Sequence, residues 1–269
     1  MARLSRIVLP GLPHHVTQRG NRREKVFFED GDYELYLDLL ADAAGRAGVE
    51  IWSYCLMPNH VHIVAVPRDE EGLSRAFRYV HRHYTGYINA RMRVTGHLWQ
   101  GRFSSVAMDE THLVSALRYV ALNPVRARLT ERAEDWRWSS TRAHLSGEDD
   151  HLVTVAPALE RVGDFAAFLG EPFDEAMAYA PLRKAESVGR PAGSREWLED
   201  MEARTGLTLL PGKRGPKPKG GYLEAFARRV RPVSRHSQLS DKPLLIQHFP
   251  NLSQPVIGSA ALRRPCSFT

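Results

Sequence analysis

The chain has 269 residues, of which 43% are hydrophobic, 25% charged and 9% aromatic, and its formal net charge is +6. That composition is globular and long enough to bury a substantial core, one domain of ordinary size plus extensions. It excludes a membrane-spanning helix, because no run of about 18 apolar residues occurs. With only Cys55 and Cys266 it also excludes a disulfide-built scaffold. The N-terminal residues lack the apolar core of a secretory signal, so a soluble, cytoplasmic protein is expected. Arg far outnumbers Lys, and a basic, Arg-rich surface points to an acidic polymer such as nucleic acid.

Residues 13–19 read as a short strand ended by Gly20-Asn21, with Arg22, Arg23 and Lys25 just behind it. From Asp32 onward Tyr33, Tyr36, Leu37, Leu40, Ala44 and Ala47 recur at helical spacing; Asp30 or Asp32 can cap the start and Gly48 the end. Two strands follow, residues 51–56 and 60–67, folded on the turn Met57-Pro58-Asn59. A second helix spans residues 71–93, with Leu73, Phe77, Val80, Tyr84, either Tyr87 or Ile88, and Met92 on its apolar stripe. Residues 97–108 predict a fourth strand kinked at Gly101, and Asp109 opens a third helix that Pro124 stops after Asn123.

Strand, helix, strand, strand, helix, strand is the split βαβ order. It predicts an α+β, ferredoxin-like fold: a four-stranded antiparallel sheet, two helices on one face, and an added helix. Val61 and Ile63 would then pack beneath the helices, leaving His60 and His62 on the open face. The expected domains are 1–150 for the catalytic unit, 151–210 for a helical extension and 211–269 for a basic, flexible tail. Within the extension two short helices are expected between residues 153 and 186, and another over 194–205 capped by Ser194. Lys213, Arg214, Lys217 and Lys219 sit in a Pro/Gly/Lys-rich stretch suited to tethering phosphate rather than reading bases.

Alternation along a strand puts His60 and His62 on one side, about 7 Å apart at strand rise, a gap that side-chain rotation can close onto one metal ion. The alternative is a pair of histidines that merely hydrogen-bond. Tyr119 and Asn123 are four apart on the third helix and share a face. If that helix crosses the open face, a phenol and an amide meet the two imidazoles. Such a set suits a divalent ion that polarises a phosphodiester while a tyrosine attacks in line. Against it stands a core tyrosine with Asn123 as a helix cap. Tyr54, on the neighbouring strand, competes as nucleophile; Arg19, Arg22, Arg23, Trp99, Gln100 and Arg102 are candidate nucleic-acid contacts, each equally open to packing or solvated charge.

Four motifs carry a resemblance. They are His15-Val16-Thr17-Gln18-Arg19-Gly20-Asn21, Met57-Pro58-Asn59-His60-Val61-His62, Leu98-Trp99-Gln100-Gly101-Arg102-Phe103, and Tyr119-Val120-Ala121-Leu122-Asn123-Pro124-Val125-Arg126-Ala127. In this order they resemble the HUH single-tyrosine transposases, and most of all their REP-associated type. The resemblance implies the ferredoxin-like fold, Mg²⁺ or Mn²⁺ held by His60, His62 and Asn123, and Tyr119 as the nucleophile. It further implies a 5′-phosphotyrosine intermediate with a free 3′-hydroxyl, and single-stranded or hairpin DNA as the partner, bound by a monomer or homodimer. The competing readings are a non-catalytic nucleic-acid-binding regulator on the same sheet, and a metal phosphodiesterase that uses water and forms no adduct.

Overall fold

The computed structural model describes residues 6–210. Its elements begin β1 (His14–Arg19), α1 (Asp30–Ala47), β2 (Val49–Met57), β3 (His60–Pro67), α2 (Gly72–Met92), β4 (Ser104–Ala107) and α3 (Glu110–Ala121). Helices α4 (Asn123–Arg126), α5 (Thr141–Ser146), α6 (Ala156–Val162), α7 (Phe165–Gly170), α8 (Glu175–Val188) and α9 (Arg195–Thr205) follow. The strands form one antiparallel sheet in the order β2-β3-β1-β4, the ferredoxin-like arrangement in an α+β chain.

Local chemistry sets the boundaries. At the start of α1, Glu29 is the N-cap, and the Asp32 carboxylate accepts from the Phe28 and Glu29 amides, so Asp32 closes a capping box from inside the helix. Gly48, at φ 65°, ends α1 in the left-handed conformation that glycine adopts without strain. Two residues, Pro58 and Asn59, turn the β2–β3 hairpin, because Met57 already pairs with His60. The expected strand over 97–108 is much shorter: only Ser104–Ala107 joins the ladder with β1. Upstream, Trp99 and Phe103 are buried in the core that α1 and α2 cover. Burying both rings holds that stretch off the ladder, save for one bridge from Trp99 to Gly20.

The sheet has two apolar faces. On the first, Val16, Ile51, Tyr54, Leu56, Val61, Ile63 and Ala65 pack with Tyr36, Leu40, Phe77, Val80 and Tyr84 of α1 and α2. On the second, Cys55, Met57, Val64 and Val106 meet Leu113, Leu117 and Val120 of α3, together with Phe165, Phe168, Tyr179 and Leu182. A bulge between Ile51 and Ser53 adds Trp52 to this second face. The face expected to lie open is therefore covered, and His62 is only 2% exposed. The reason is compositional: the same alternation that places the histidines there also places Cys55, Met57, Val64 and Val106 there, and such a surface must be buried.

Beside α3, the cover comes from beyond residue 150. Where two short helices were expected there are three, α6, α7 and α8, and Asp164 caps α7 by accepting from the Ala166 and Ala167 amides. Ser194 caps α9 as expected, accepting from the Trp197 amide. On its way the chain bonds to the outer strands. The Leu56 amide donates to Trp138 O at 2.8 Å and the Thr154 amide to Ile51 O at 2.8 Å; at the other side the Ala192 amide donates to Ala107 O at 2.8 Å. Lys213, Arg214, Lys217 and Lys219 lie outside the described residues. Among those described, no helix is long and apolar enough to cross a membrane.

Candidate active site

β3 presents His60 and His62 to the same side, with ring centroids 4.8 Å apart and planes at 84°. Each uses Nδ1 to bond to the protein: His60 Nδ1 lies 2.6 Å from Asn59 Oδ1, and His62 Nδ1 lies 3.0 Å from His15 Nε2. A histidine anchored through one nitrogen is thereby oriented to use the other. His62 Nε2 is buried and has no hydrogen-bond partner among the described residues. Burial, then the neighbouring His15, His60, Arg19 and Arg126, hold the His62 imidazole well below its ordinary pKa, so it stays in the neutral form that can donate a lone pair.

His15 is a site residue that the sequence does not single out. β1 pairs with β3 so that His15 opposes Val64 and Thr17 opposes His62, which puts His15 on the histidine face, one diagonal step from His62. Its ring stacks on that of His62 at 5.1 Å and meets the edge of Tyr119 at 6.0 Å.

α3 lies across this face and sets Tyr119 against His62, ring centroids 5.2 Å apart and planes at 81°. Asp109 anchors the helix by accepting from the His112 amide. At Leu122 α3 ends and the one-turn α4 begins with Asn123. Asn123 is buried and its Nδ2 has no acceptor among the described residues. Tyr119, Asn123 and Arg126 follow at i, i+4 and i+7, one stripe of the same helical path. The Arg126 guanidinium lies over the Tyr119 ring at 4.7 Å and over the Tyr179 ring of α8 at 4.9 Å.

Two imidazoles and an amide form a mixed set that fits a hard divalent cation if water and phosphate oxygens complete it. The partnerless His62 Nε2 supports that fit. No group of three or more His, Cys, Asp or Glu that could hold a metal ion occurs among the described residues, so such an ion would depend on the Asn123 amide and on its own ligands.

The other candidates divide. Tyr54 points to the opposite face, buried in the first core with its hydroxyl donating to Asp150 Oδ2 at 2.8 Å; it cannot serve the histidines. Trp99 is likewise buried, tilted against His81 at 4.8 Å and Tyr84 at 6.0 Å, which sets it in the core and away from the DNA contacts expected of it. Its indole fills the core instead of facing solvent. Arg19, Arg22, Arg23, Gln100 and Arg102 are exposed. Arg19 opposes His60 across the ladder, and the Gln100 amide donates to Arg19 O at 2.9 Å. Arg22 and Arg23 occupy consecutive left-handed positions, φ 53° and 64°, a turn that Gly20 permits because a Cβ there would lie 2.2 Å from Glu24 O. Left-handed non-glycine residues cost energy and cluster at functional turns. Arg102 stands apart from this group, close enough to Arg6 to lower its pKa after burial has done so.

Residues 10–123 match the model of the IS200-like transposases, described as "Transposase IS200 like", which bears out the family read from the motifs. Two solved structures are similar. One is a REP-associated tyrosine transposase bound to a REP hairpin, 19% identical, covering 57% of this chain and 92% of that chain at a TM-score of 0.48. The other is a Deinococcus radiodurans R1 protein provisionally described as a transposase, 19% identical, covering 50% of this chain and 98% of that chain at a TM-score of 0.30. Nothing matches among curated proteins.

Proposed function

From the premise that residues 10–123 are of the IS200-like transposase kind, we propose that this chain cuts and rejoins single-stranded DNA with Tyr119 as nucleophile. One observation supports it most: a half-buried phenol stands edge-on to His62, whose Nε2 is buried without a partner, on the helical stripe that also carries Asn123. A structural tyrosine needs no such neighbour. Hairpin repeat DNA is the proposed substrate because the four motifs resemble the REP-associated type.

The chemistry balances without an outside energy source. The Tyr119 oxygen forms a bond to phosphorus as the bond to the 3′-oxygen breaks; the phenol proton is lost, and the departing oxygen gains one to become a 3′-hydroxyl. The 5′-phosphotyrosine keeps the phosphodiester energy, so attack by another 3′-hydroxyl reverses the step and joins new ends. His60, His62 and Asn123 would hold Mg²⁺ or Mn²⁺, which supplies charge neutralisation on the phosphate oxygens. The Asn123 amide would contribute its oxygen as a neutral ligand. His15 fixes the His62 ring, and the walls formed by α3 and α8 limit water around the phenol.

Incubation with hairpin oligonucleotides and Mg²⁺ tests the reading. The wild type should give a cut strand and a covalent adduct that mass spectrometry maps to Tyr119. Tyr119→Phe should fold and bind DNA yet give neither product, because only the reacting oxygen is removed. Normal cleavage by Tyr119→Phe, or an adduct on another residue, would overturn it. Cleavage without any adduct would favour a water-using phosphodiesterase.

A further inference from the structure

Arg126 is held by two elements that approach it from opposite sides. α4 supplies the residue itself, one turn beyond Asn123. α8 supplies Glu175, whose Oε2 accepts from Arg126 Nε at 3.1 Å, and Tyr179, whose ring lies 4.9 Å from the guanidinium carbon. Tyr119 closes the other side, 4.7 Å from that carbon and 4.8 Å from the Tyr179 ring centroid to centroid. The guanidinium is therefore oriented by an ion pair at Nε and by two aromatic rings, with its side chain 23% exposed. Its other two nitrogens have no hydrogen-bond partner among the described residues. Tyr179 is fully buried, and its hydroxyl also lacks a partner there.

A cation so fixed, with donors to spare, beside the proposed nucleophile is a construction for an anion. Glu175 is half exposed and engages only one edge of the fork, which leaves the other edge for bidentate contact with a phosphate. We infer that Arg126 binds the non-bridging oxygens of the phosphate presented to Tyr119, and that Glu175 and Tyr179 of α8 are the positioning residues that hold it there. The inference rests on Tyr119 being the nucleophile. It assigns a role to a helix outside the segment that matches the transposase model, residues 10–123, making α8 part of the site.

The test separates phosphate binding from cleavage. Affinity of the full-length chain is measured for a single-stranded octamer carrying a 5′-phosphate and for the same octamer with a 5′-hydroxyl, alongside cleavage of the hairpin oligonucleotide. In the wild type the phosphate should improve binding by about tenfold, the scale of a charge-assisted bidentate contact. Arg126→Ala should abolish that gain while binding the hydroxyl octamer normally, and Arg126→Lys, which keeps charge without the fork, should retain part of it. Glu175→Gln should reduce the gain and Tyr119→Phe should keep it. A gain that survives in Arg126→Ala, or that is missing from the wild type, overturns the inference. If Arg126→Ala proves unfolded by circular dichroism, Arg126→Lys decides: a gain equal to wild type counts against the bidentate contact. Cleavage by Tyr119→Phe would sink the nucleophile assignment without moving the phosphate gain, so the two failures are distinguishable.

Discussion

Replacing His60 and His62 by alanine, one at a time, separates two tasks that β3 assigns to neighbouring rings on one face. His60 stands at the half-exposed start of the strand, whereas His62 is 2% exposed and bonded to His15 at 3.0 Å. Truncating His62 opens a void on the order of 60 Å³, which at about 24 cal/mol per Å³ costs about 1.5 kcal/mol. Losing the bond to His15 adds about 1 kcal/mol. The total of about 2.5 kcal/mol lowers Tm by roughly 5–10 °C in a domain of this size. His60→Ala leaves almost no void and should move Tm by less than about 2 °C. Both variants should lose hairpin cleavage. Thermal unfolding followed by circular dichroism, run beside the cleavage assay, gives the two readouts on the same preparations. Equal Tm shifts in the two variants, or a His62→Ala protein as stable as the wild type, would refute the argument that one ring is structural as well as functional.

His14 is buried with Leu12 O 2.8 Å from Nδ1 and the Leu9 amide donating to Nε2, and burial lowers its pKa from 6.5 to about 4. Because the folded value lies below the unfolded one, its contribution is complete above pH 6.5 and is lost as pH falls towards 4, by about 3 kcal/mol in all. Tm measured between pH 7 and 4 should fall less steeply in His14→Gln, and equal slopes would reject the assignment. Arg91→Ala strands the fully buried Asp32 carboxylate, to which Arg91 Nη2 donates at 2.8 Å; urea unfolding should show a loss of about 2–3 kcal/mol. A change under about 1 kcal/mol would mean that the Phe28 and Glu29 amides suffice. Truncation after Leu210 removes Lys213, Arg214, Lys217 and Lys219, so cleavage should persist while the log–log salt slope of single-strand binding falls by up to about three units. An unchanged slope would reject the tether.

How far the sequence alone reached follows from which physical rules act locally. Period-two alternation was enough to place His60 with His62 and to turn Val61 and Ile63 beneath α1 and α2. Helical spacing placed Asn123 one turn from Tyr119, and the split βαβ order gave the sheet. What escaped depended on register and on distant covering. His15 joins His62 only through the β1–β3 pairing, across 47 positions of sequence; the alternation of β1 showed its face but not its neighbour. Arg126 could have been found from its seven-residue offset from Tyr119. Tyr179 could not, because nothing local says that α8 folds back onto α3. Trp99 misled because an aromatic in a basic stretch reads as well for DNA contact as for core, and only its burial against Tyr36, His81 and Tyr84 decides.

The bonds from the C-terminal half to the outer strands have a consequence for self-association. A strand at the rim of a sheet offers unpaired amides and carbonyls as a template on which another chain can align. Here the rim of β2 already receives the Leu56–Trp138, Ser140–Tyr54 and Thr154–Ile51 bonds, and the rim of β4 receives the Ala192–Ala107 bond. Each borrowed segment is short, but together they occupy both rims of the described sheet. A second copy seeking to extend the sheet by strand addition would first have to peel away residues 138–154, which set Trp138 and Val153 in the first core, or the chain around Ala192, which is buried in the second. Association of two copies is thereby steered towards helix surfaces and away from continuous β-pairing, the route by which sheet proteins most readily aggregate.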